Sequence, residues 1–270
     1  MWLKLRKWAS CRRWPAPHPF LIWRDGMERY KPLWVWMIAP LVVVQAGIFL
    51  DYWGDFTRNT WAVHVHYWNA TLWYLFLIAQ PWLFVRGKLD QHRTWGMIGL
   101  LLAGAMVLLS VGQLNRDIVY ANFARDNPGE MGPFEPWFFF QVMMMEIVLI
   151  ISFAIAVLMA IKHRKSPQDH GWWMASTAFL IMMPGLGRGL QNIWIGLYGF
   201  TVENTGALTT PIYLCQAIVI AMTLGFAWKF AVLRHPATYL AVIANATLFV
   251  LEPIARSRAV QEFWRMLIAH

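Results

Sequence analysis

The sequence predicts an all-α membrane protein with seven transmembrane helices, arranged as one leading helix and three repeated hairpins. Of its 270 residues, 59% are hydrophobic and only 14% are charged, whereas a soluble domain carries roughly a quarter charged residues. Apolar runs of about 20 residues, the length that crosses roughly 30 Å of hydrocarbon, recur along the chain. The basic residues fall in short segments between these runs, as the loops of a membrane protein do.

Residues 1–32 are predicted to form a basic, Trp-rich cytoplasmic tail. They are not a cleavable signal, because they contain no continuous apolar core and no A-x-A-like site before an apolar run. Trp2, Leu5 and Trp8 recur at about helical spacing beside cations, which is typical of a segment lying on an anionic leaflet. A disordered tail that only directs insertion explains the same pattern equally well.

The apolar runs predict a seven-helix bundle over residues 33–255. Its spans lie at about 33–53, 63–85, 94–114, 137–161, 172–196, 210–230 and 237–255. Tryptophan is enriched at membrane interfaces, and these tryptophans fall near predicted span ends: Trp34, Trp53, Trp61, Trp82, Trp95, Trp137, Trp172, Trp194 and Trp228. The C-terminal segment 256–270 is predicted to be extracytoplasmic or interfacial, with a surface helix at about 257–269.

Lysine and arginine decide the predicted orientation. Sixteen of the 23 lie in the tail and in the turns at 86–93, 162–165 and 229–234. These four segments share one side of the membrane if seven spans alternate, and the positive-inside rule assigns that side to the cytoplasm. The C-terminus is then extracytoplasmic. The net charge of +9 comes largely from these cytoplasmic segments and reflects orientation in a lipid bilayer. The expected partner is therefore the bilayer, and binding to nucleic acid is not expected.

The three predicted cytoplasmic turns share a pattern of a cation, five residues and a histidine. It occurs at Arg86–His92, Arg164–His170 and Lys229–His235, and it predicts that spans 2–3, 4–5 and 6–7 are repeated hairpins. In the structural interpretation each cation anchors one helix end at the headgroups and each histidine caps the next helix. The alternative is a haem or metal site on the cytoplasmic side, built from His92, His163, His170 and His235.

Polar residues at membrane depth predict a pocket in the outer half of the bundle. Glu146 lies about 13 Å below the outer end of span four, and Arg188 lies about 9 Å below that of span five. A charge in the bilayer costs at least ~2.5–3.5 kcal/mol, so both should face the interior and form an ion pair. The predicted pocket residues are His66, Asn69, Gln113, Glu146, Arg188 and Gln191. Ligand binding and mutual hydrogen bonding between helices both explain such a set.

Metal binding in this region is not expected. His64 and His66 are the candidates, but residues two apart on a helix point about 200° from one another. Zinc would also need a further ligand. Elsewhere the sequence contains no nucleophile elbow, zinc-protease helix or nucleotide loop, which argues against the known hydrolase and ATPase classes.

Two runs of residues resemble a family of bacterial multi-span inner-membrane proteins of about seven helices with no assigned activity. The first is His66…Gln80…Arg86-x5-His92-Arg93-x2-Gly96, and the second is Arg164-x5-His170-x3-Met174…Pro184-x3-Arg188. Together they cover about residues 64–190. The family usually has basic residues after the second histidine, whereas Gly171 and Trp172 follow here. The resemblance implies a helical bundle in a bacterial inner membrane, and it implies no reaction.

Three functions remain open from the sequence, and whether the protein is an enzyme is undecided. The first is an intramembrane pocket that binds a small ligand or cofactor, with haem and a lipid-soluble quinone as candidates. The second is a non-catalytic accessory or assembly subunit of a larger respiratory or photosynthetic membrane complex. The third is a transporter, which the parallel hairpin repeats make less favoured without excluding it.

Overall fold

The structure, a computed structural model, describes residues 28–268, which are helical in nearly all parts and contain no strand. The predicted tail therefore lies almost entirely outside the described residues. The helices are α1 (Leu33–Trp36), α2 (Ile38–Gly47), α3 (Trp61–Val85), α4 (Leu89–Asp126), α5 (Pro136–Lys162), α6 (Pro167–Leu180), α7 (Met183–Tyr198), α8 (Thr210–Lys229), α9 (Pro236–Ala246), α10 (Leu248–Ala255) and α11 (Arg258–Ile268). A π-helical turn (Phe49–Trp53) and a 3-10 turn (Phe56–Arg58) connect α2 to α3, and a second 3-10 turn (Thr205–Leu208) precedes α8.

Four helical segments in the described part of the chain are long and apolar enough to cross a membrane. They are α4, α5, Thr205–Lys229 and Pro236–Ala255. The protein is therefore all-helical with several membrane-capable helices, as the composition predicted. The other predicted spans correspond to the short α1 and α2, to α3 and to the interrupted pair α6 and α7. The count of seven spans and the hairpin repeat stay predictions.

Helix α4 is much longer than the span predicted at 94–114. It has 38 residues and is about 57 Å long at 1.5 Å per residue, well beyond the roughly 30 Å of hydrocarbon. The predicted span ends at residue 114, but the helix continues to Asp126. Polar residues end the apolar run at that point, and they do not end the helix. Beyond residue 114, Ile118, Ala121 and Ala124 are buried and hold the last turns against the bundle.

The bundle packs around α5, which contacts α4, α6, α9 and α10. Large side chains such as Trp73, Phe140 and Trp172 are fully buried between the helices. Leu101 and Leu108 of α4 and Leu158 of α5 are instead mostly exposed. Exposed leucines on helices of this length are the surface that lipid covers in a membrane protein.

Helices α2 and α7 cross in close contact at positions where both carry glycine. A Cβ atom on Gly47 would lie 2.5 Å from the carbonyl oxygen of Gly185, and one on Gly189 would lie 2.5 Å from the carbonyl oxygen of Gly47. Small residues allow helix backbones to approach this closely in membranes. Pro184 lies in the first turn of α7, where its missing N–H is tolerated. The crossing places the start of α7 beside the cavity described next.

Candidate functional site

A cavity of about 100 Å³ lies between α2, α3, α4, α5 and the junction of α6 and α7. Helices α3, α4, α5 and α7 contribute polar residues nearer one end of the bundle. We call it the α4–α5 end because α4 ends and α5 begins there. The polar end of the cavity comprises His66, Gln113, Arg116, Glu146 and Arg188. The remaining lining is mostly apolar and includes Met106, Val107, Phe153, Leu180 and Ile181. The cavity is therefore amphipathic.

Arg188 is held by a three-residue network. Its Nη1 atom donates to Asp51 Oδ2 at 3.1 Å and to the Tyr67 hydroxyl oxygen at 2.7 Å, and that hydroxyl donates to Asp51 Oδ2 at 2.8 Å. The expected ion pair with Glu146 is wrong, because Arg188 pairs with Asp51. Asp51 lies in the π-helical turn, which brings its carboxylate back over α7. The network connects this turn to α3 and α7.

Arg116 forms the second ion pair at the cavity. Its Nε and Nη2 atoms lie 3.3 and 2.9 Å from Asp117 Oδ1, and the Asp117 side chain is only 3% exposed. Sequence reasoning missed Arg116 because it ended span three two residues earlier. The continuing periodicity of α4, which places Arg116 one turn beyond Gln113, was the available indication.

Glu146 and His66 are the two polar-end residues with a buried atom that has no hydrogen-bond partner. Glu146 Oε2 and His66 Nδ1 are inaccessible and unpartnered among the described residues. Buried polar groups are almost always hydrogen-bonded, so an unpaired carboxyl oxygen and an unpaired imidazole nitrogen on residues that line one cavity are unusual. Neither Arg116 nor Arg188 forms an ion pair with Glu146, because each pairs with an aspartate. Glu146 and His66 both line the cavity, and the described residues provide no hydrogen-bond partner for their two buried atoms.

No protein-family model, curated protein or solved structure matches this chain. The site is therefore interpreted from its geometry. The resemblance to bacterial inner-membrane proteins stays a prediction.

The structure brings four of the six predicted pocket residues together and directs two elsewhere. His66, Gln113, Glu146 and Arg188 line the cavity. Asn69 instead donates to the Leu102 carbonyl oxygen at 3.3 Å, and Gln191 donates to that of Ala207 at 3.1 Å. These two amides satisfy backbone carbonyls and act as contacts between chain segments.

The metal candidates are separated in the same way. His64 Nδ1 lies 2.8 Å from the Tyr52 hydroxyl oxygen, whereas His66 lines the cavity. Within residues 28–268, no three His, Cys, Asp or Glu side chains are placed to hold a metal ion.

The histidines of the basic turns lie at the opposite end of the bundle. The rings of His92 and His170 are 6.2 Å apart and nearly perpendicular. His163 Nδ1 and His170 Nδ1 each lie 2.9 Å from a backbone carbonyl oxygen, of Met159 and Ala160 respectively. The His163 contact lies at the end of α5, and the His170 contact joins α6 to the end of α5 across the turn. Both support the structural interpretation of the repeat over the haem or metal alternative.

His235 caps a helix directly. Its Nδ1 atom accepts the Ala237 N–H at 3.1 Å at the start of α9, and its Nε2 atom lies 3.4 Å from Asp169 Oδ1. Burial lowers the pKa of His235 although Asp169 opposes this shift. The accepting Nδ1 atom must be unprotonated, so the capping geometry and the lowered pKa agree on a neutral imidazole.

Acidification is expected to destabilise the protein through this residue. A histidine with a lowered folded-state pKa contributes full stability above its unfolded pKa of about 6.5 and loses it as the pH falls below that value. Loss of a helix cap costs about 0.5–2 kcal/mol. Thermal unfolding of the detergent-purified protein between about pH 7.5 and about pH 5 measures the effect. His235→Asn retains a capping side chain that does not titrate, so its melting temperature should depend less on pH. Equal pH dependence of the two proteins would contradict the assignment.

Proposed function

We propose that this chain is an integral protein of a bacterial inner membrane that binds a small amphipathic ligand in the intramembrane cavity, with a lipid-soluble quinone as the favoured class. The observation that carries the proposal is the pair of unpartnered buried atoms, Glu146 Oε2 and His66 Nδ1, at the polar end of an otherwise apolar cavity. In the proposed orientation the basic turns face the cytoplasm, and this polar end lies toward the extracytoplasmic surface.

The chemistry of the lining favours a quinone-like head group. Its carbonyl oxygens accept hydrogen bonds from arginine or amide donors such as Arg116 and Gln113, and the hydroxyl of the reduced form donates to a carboxylate or imidazole. An apolar tail fits beside Leu149 and Phe153, which line the cavity on the inner side of Glu146. Ligand pockets typically combine such apolar walls with a few converging polar groups.

Haem is less well supported by the same residues. A haem with two histidine ligands needs imidazoles that face each other at matched depth. Among the described residues that line the cavity, His66 is the single histidine. The neighbouring His64 is bonded to Tyr52 and supplies no second ligand.

Binding of a short-chain quinol, the reduced form whose hydroxyl would donate to Glu146, tests the proposal, with tryptophan fluorescence quenching as the readout. Glu146→Gln preserves the shape of the side chain and removes its ionisable carboxyl group. It should weaken binding by about tenfold, the effect of losing one buried hydrogen bond. The matched control is Glu130→Gln in the exposed loop between α4 and α5, which should leave the affinity unchanged.

The native ligand is sought in the same preparation. Mass spectrometry of an organic extract identifies a retained quinone, and a colourless, folded preparation excludes haem. If the wild-type protein binds no quinol, or if Glu146→Gln and Glu130→Gln behave alike, the proposal is wrong. Purification within a larger complex under mild detergent would instead favour the accessory-subunit function.

A further inference from the structure

The C-terminal helix α11 has three faces: one packs against the core, one is apolar and exposed, and one lines a pocket. Val260, Trp264 and Ile268 pack against the core. Phe263, Met266 and Leu267 lie on the neighbouring stripe and are more than half exposed. The opposite face carries Arg258, Gln261, Glu262 and Arg265. Such a strongly amphipathic helix is typical of segments that lie in the membrane interface with the apolar side in the lipid.

The polar face of α11 forms one wall of an open pocket of about 630 Å³. The other wall is the last turn of α4 and the first residue of α5, so the pocket lies at the α4–α5 end of the bundle. Its lining is Arg125, Pro136, Arg258, Gln261, Glu262, Arg265 and Met266. Three arginines from two helices therefore face one space, with Glu262 as the acidic residue of the lining.

Two of these arginines have no anionic partner among the described residues. Arg125 is paired with Asp126 through two hydrogen bonds of 2.8 and 3.1 Å. Arg265 donates to the neutral side-chain oxygen of Asn122 at 2.8 Å, and its guanidinium lies 5.0 Å from the Phe140 ring centroid. Arg258 forms no ion pair within residues 28–268.

The neighbouring positive charge of Arg125 also affects the pKa of Arg265. Burial and the nearby Arg125 lower the pKa of Arg265, although Glu262 and Asp126 act in the opposite direction. Like charges in one space repel each other and are stabilised by a bound anion. The pocket therefore favours an anion, and its position beside an exposed apolar stripe favours one that belongs to an amphipathic molecule.

We propose that this pocket binds the phosphate group of a membrane lipid. Arg258 and Arg265 would hold the phosphate oxygens, since the planar guanidinium matches phosphate in a bidentate manner. The acyl chains would lie along Phe263, Met266 and Leu267. Glu262 would accept a hydrogen bond from a hydroxyl or ammonium group of the same headgroup. The ligand chemistry is a phosphate ester, and free phosphate shares it without the chains.

Native mass spectrometry of the delipidated full-length protein with phosphatidylglycerol tests the proposal. The wild-type protein should retain lipid, and Arg258→Gln should weaken retention by about tenfold, the effect expected from losing one charge-assisted contact. Arg258→Gln/Arg265→Gln should weaken it further. Since Arg258 has no ion-pair partner within the described residues, the single variant should fold normally, as circular dichroism and gel filtration would check.

The control variant and the free-phosphate arm decide the interpretation. Arg58→Gln removes an exposed arginine from the 3-10 turn before α3, at the same end of the bundle, and should leave lipid retention unchanged. Inorganic phosphate alone is titrated by calorimetry. If inorganic phosphate binds and Arg258→Gln weakens that binding, the phosphate site is supported with free phosphate as its ligand. If both ligands bind the wild type and the arginine variants equally, the proposal is overturned.

Discussion

Replacing Gly189 with alanine is expected to destabilise the protein strongly. The new Cβ atom would lie 2.5 Å from the Gly47 carbonyl oxygen and 2.6 Å from Gly47 Cα. Both are backbone atoms, so no side chain can rotate away and α2 and α7 must separate. Overpacking costs roughly 1–3 kcal/mol, and we expect the upper end of that range. Thermal unfolding in detergent measures it.

A second expected effect of Gly189→Ala distinguishes separation of α2 and α7 from a general loss of stability. Helix α7 carries Arg188 one residue before Gly189, so separating the helices should also disturb the cavity and weaken quinone binding. The matched control is Gly196→Ala on the same helix, where an added Cβ meets nothing within 4 Å. Alanine is favoured over glycine in helices by up to about 1 kcal/mol, so this control should be neutral or stabilising. Equal melting temperatures for the two variants would contradict the close crossing.

The second large effect is expected from Arg188→Met. The substitution leaves the Asp51 carboxylate without its cation and removes the donor to the Tyr67 hydroxyl oxygen. Breaking a fully buried ion pair costs 3–5 kcal/mol. The two side chains are 36% and 34% exposed, so solvent screening reduces the expected cost to about 2 kcal/mol. Chemical or thermal unfolding of the purified variant measures it.

A double-mutant cycle tests whether the cost arises from the stranded carboxylate. Asp51→Asn in the Arg188→Met background should recover part of the lost stability, because it removes the uncompensated charge. Arg58→Gln is the comparison, since Arg58 and Asp55 form an exposed pair and such pairs contribute little. Additive effects of the Asp51 and Arg188 substitutions would show that the two residues are not energetically coupled.

The composition and the polarity pattern determined the class of protein and part of its site. Apolar runs can be buried only in lipid, so a helical membrane protein followed from the sequence. The cost of a charge in hydrocarbon also predicted that Glu146 and Arg188 would face the interior, and both line the cavity with His66 and Gln113. The C-terminal surface helix predicted at about 257–269 corresponds to α11.

The choice of partners was decided only by the tertiary structure. Arg188 pairs with Asp51 in the π-helical turn at the end of the first predicted span. Arg116 joins the cavity because α4 continues past its apolar run, and Asn69 and Gln191 are bonded to backbone carbonyls instead. Helical periodicity specifies which face a residue occupies. The polar group that a residue bonds depends also on how closely neighbouring helices approach and where each helix ends. Next to Arg188, the glycine crossing brings α2 and α7 together.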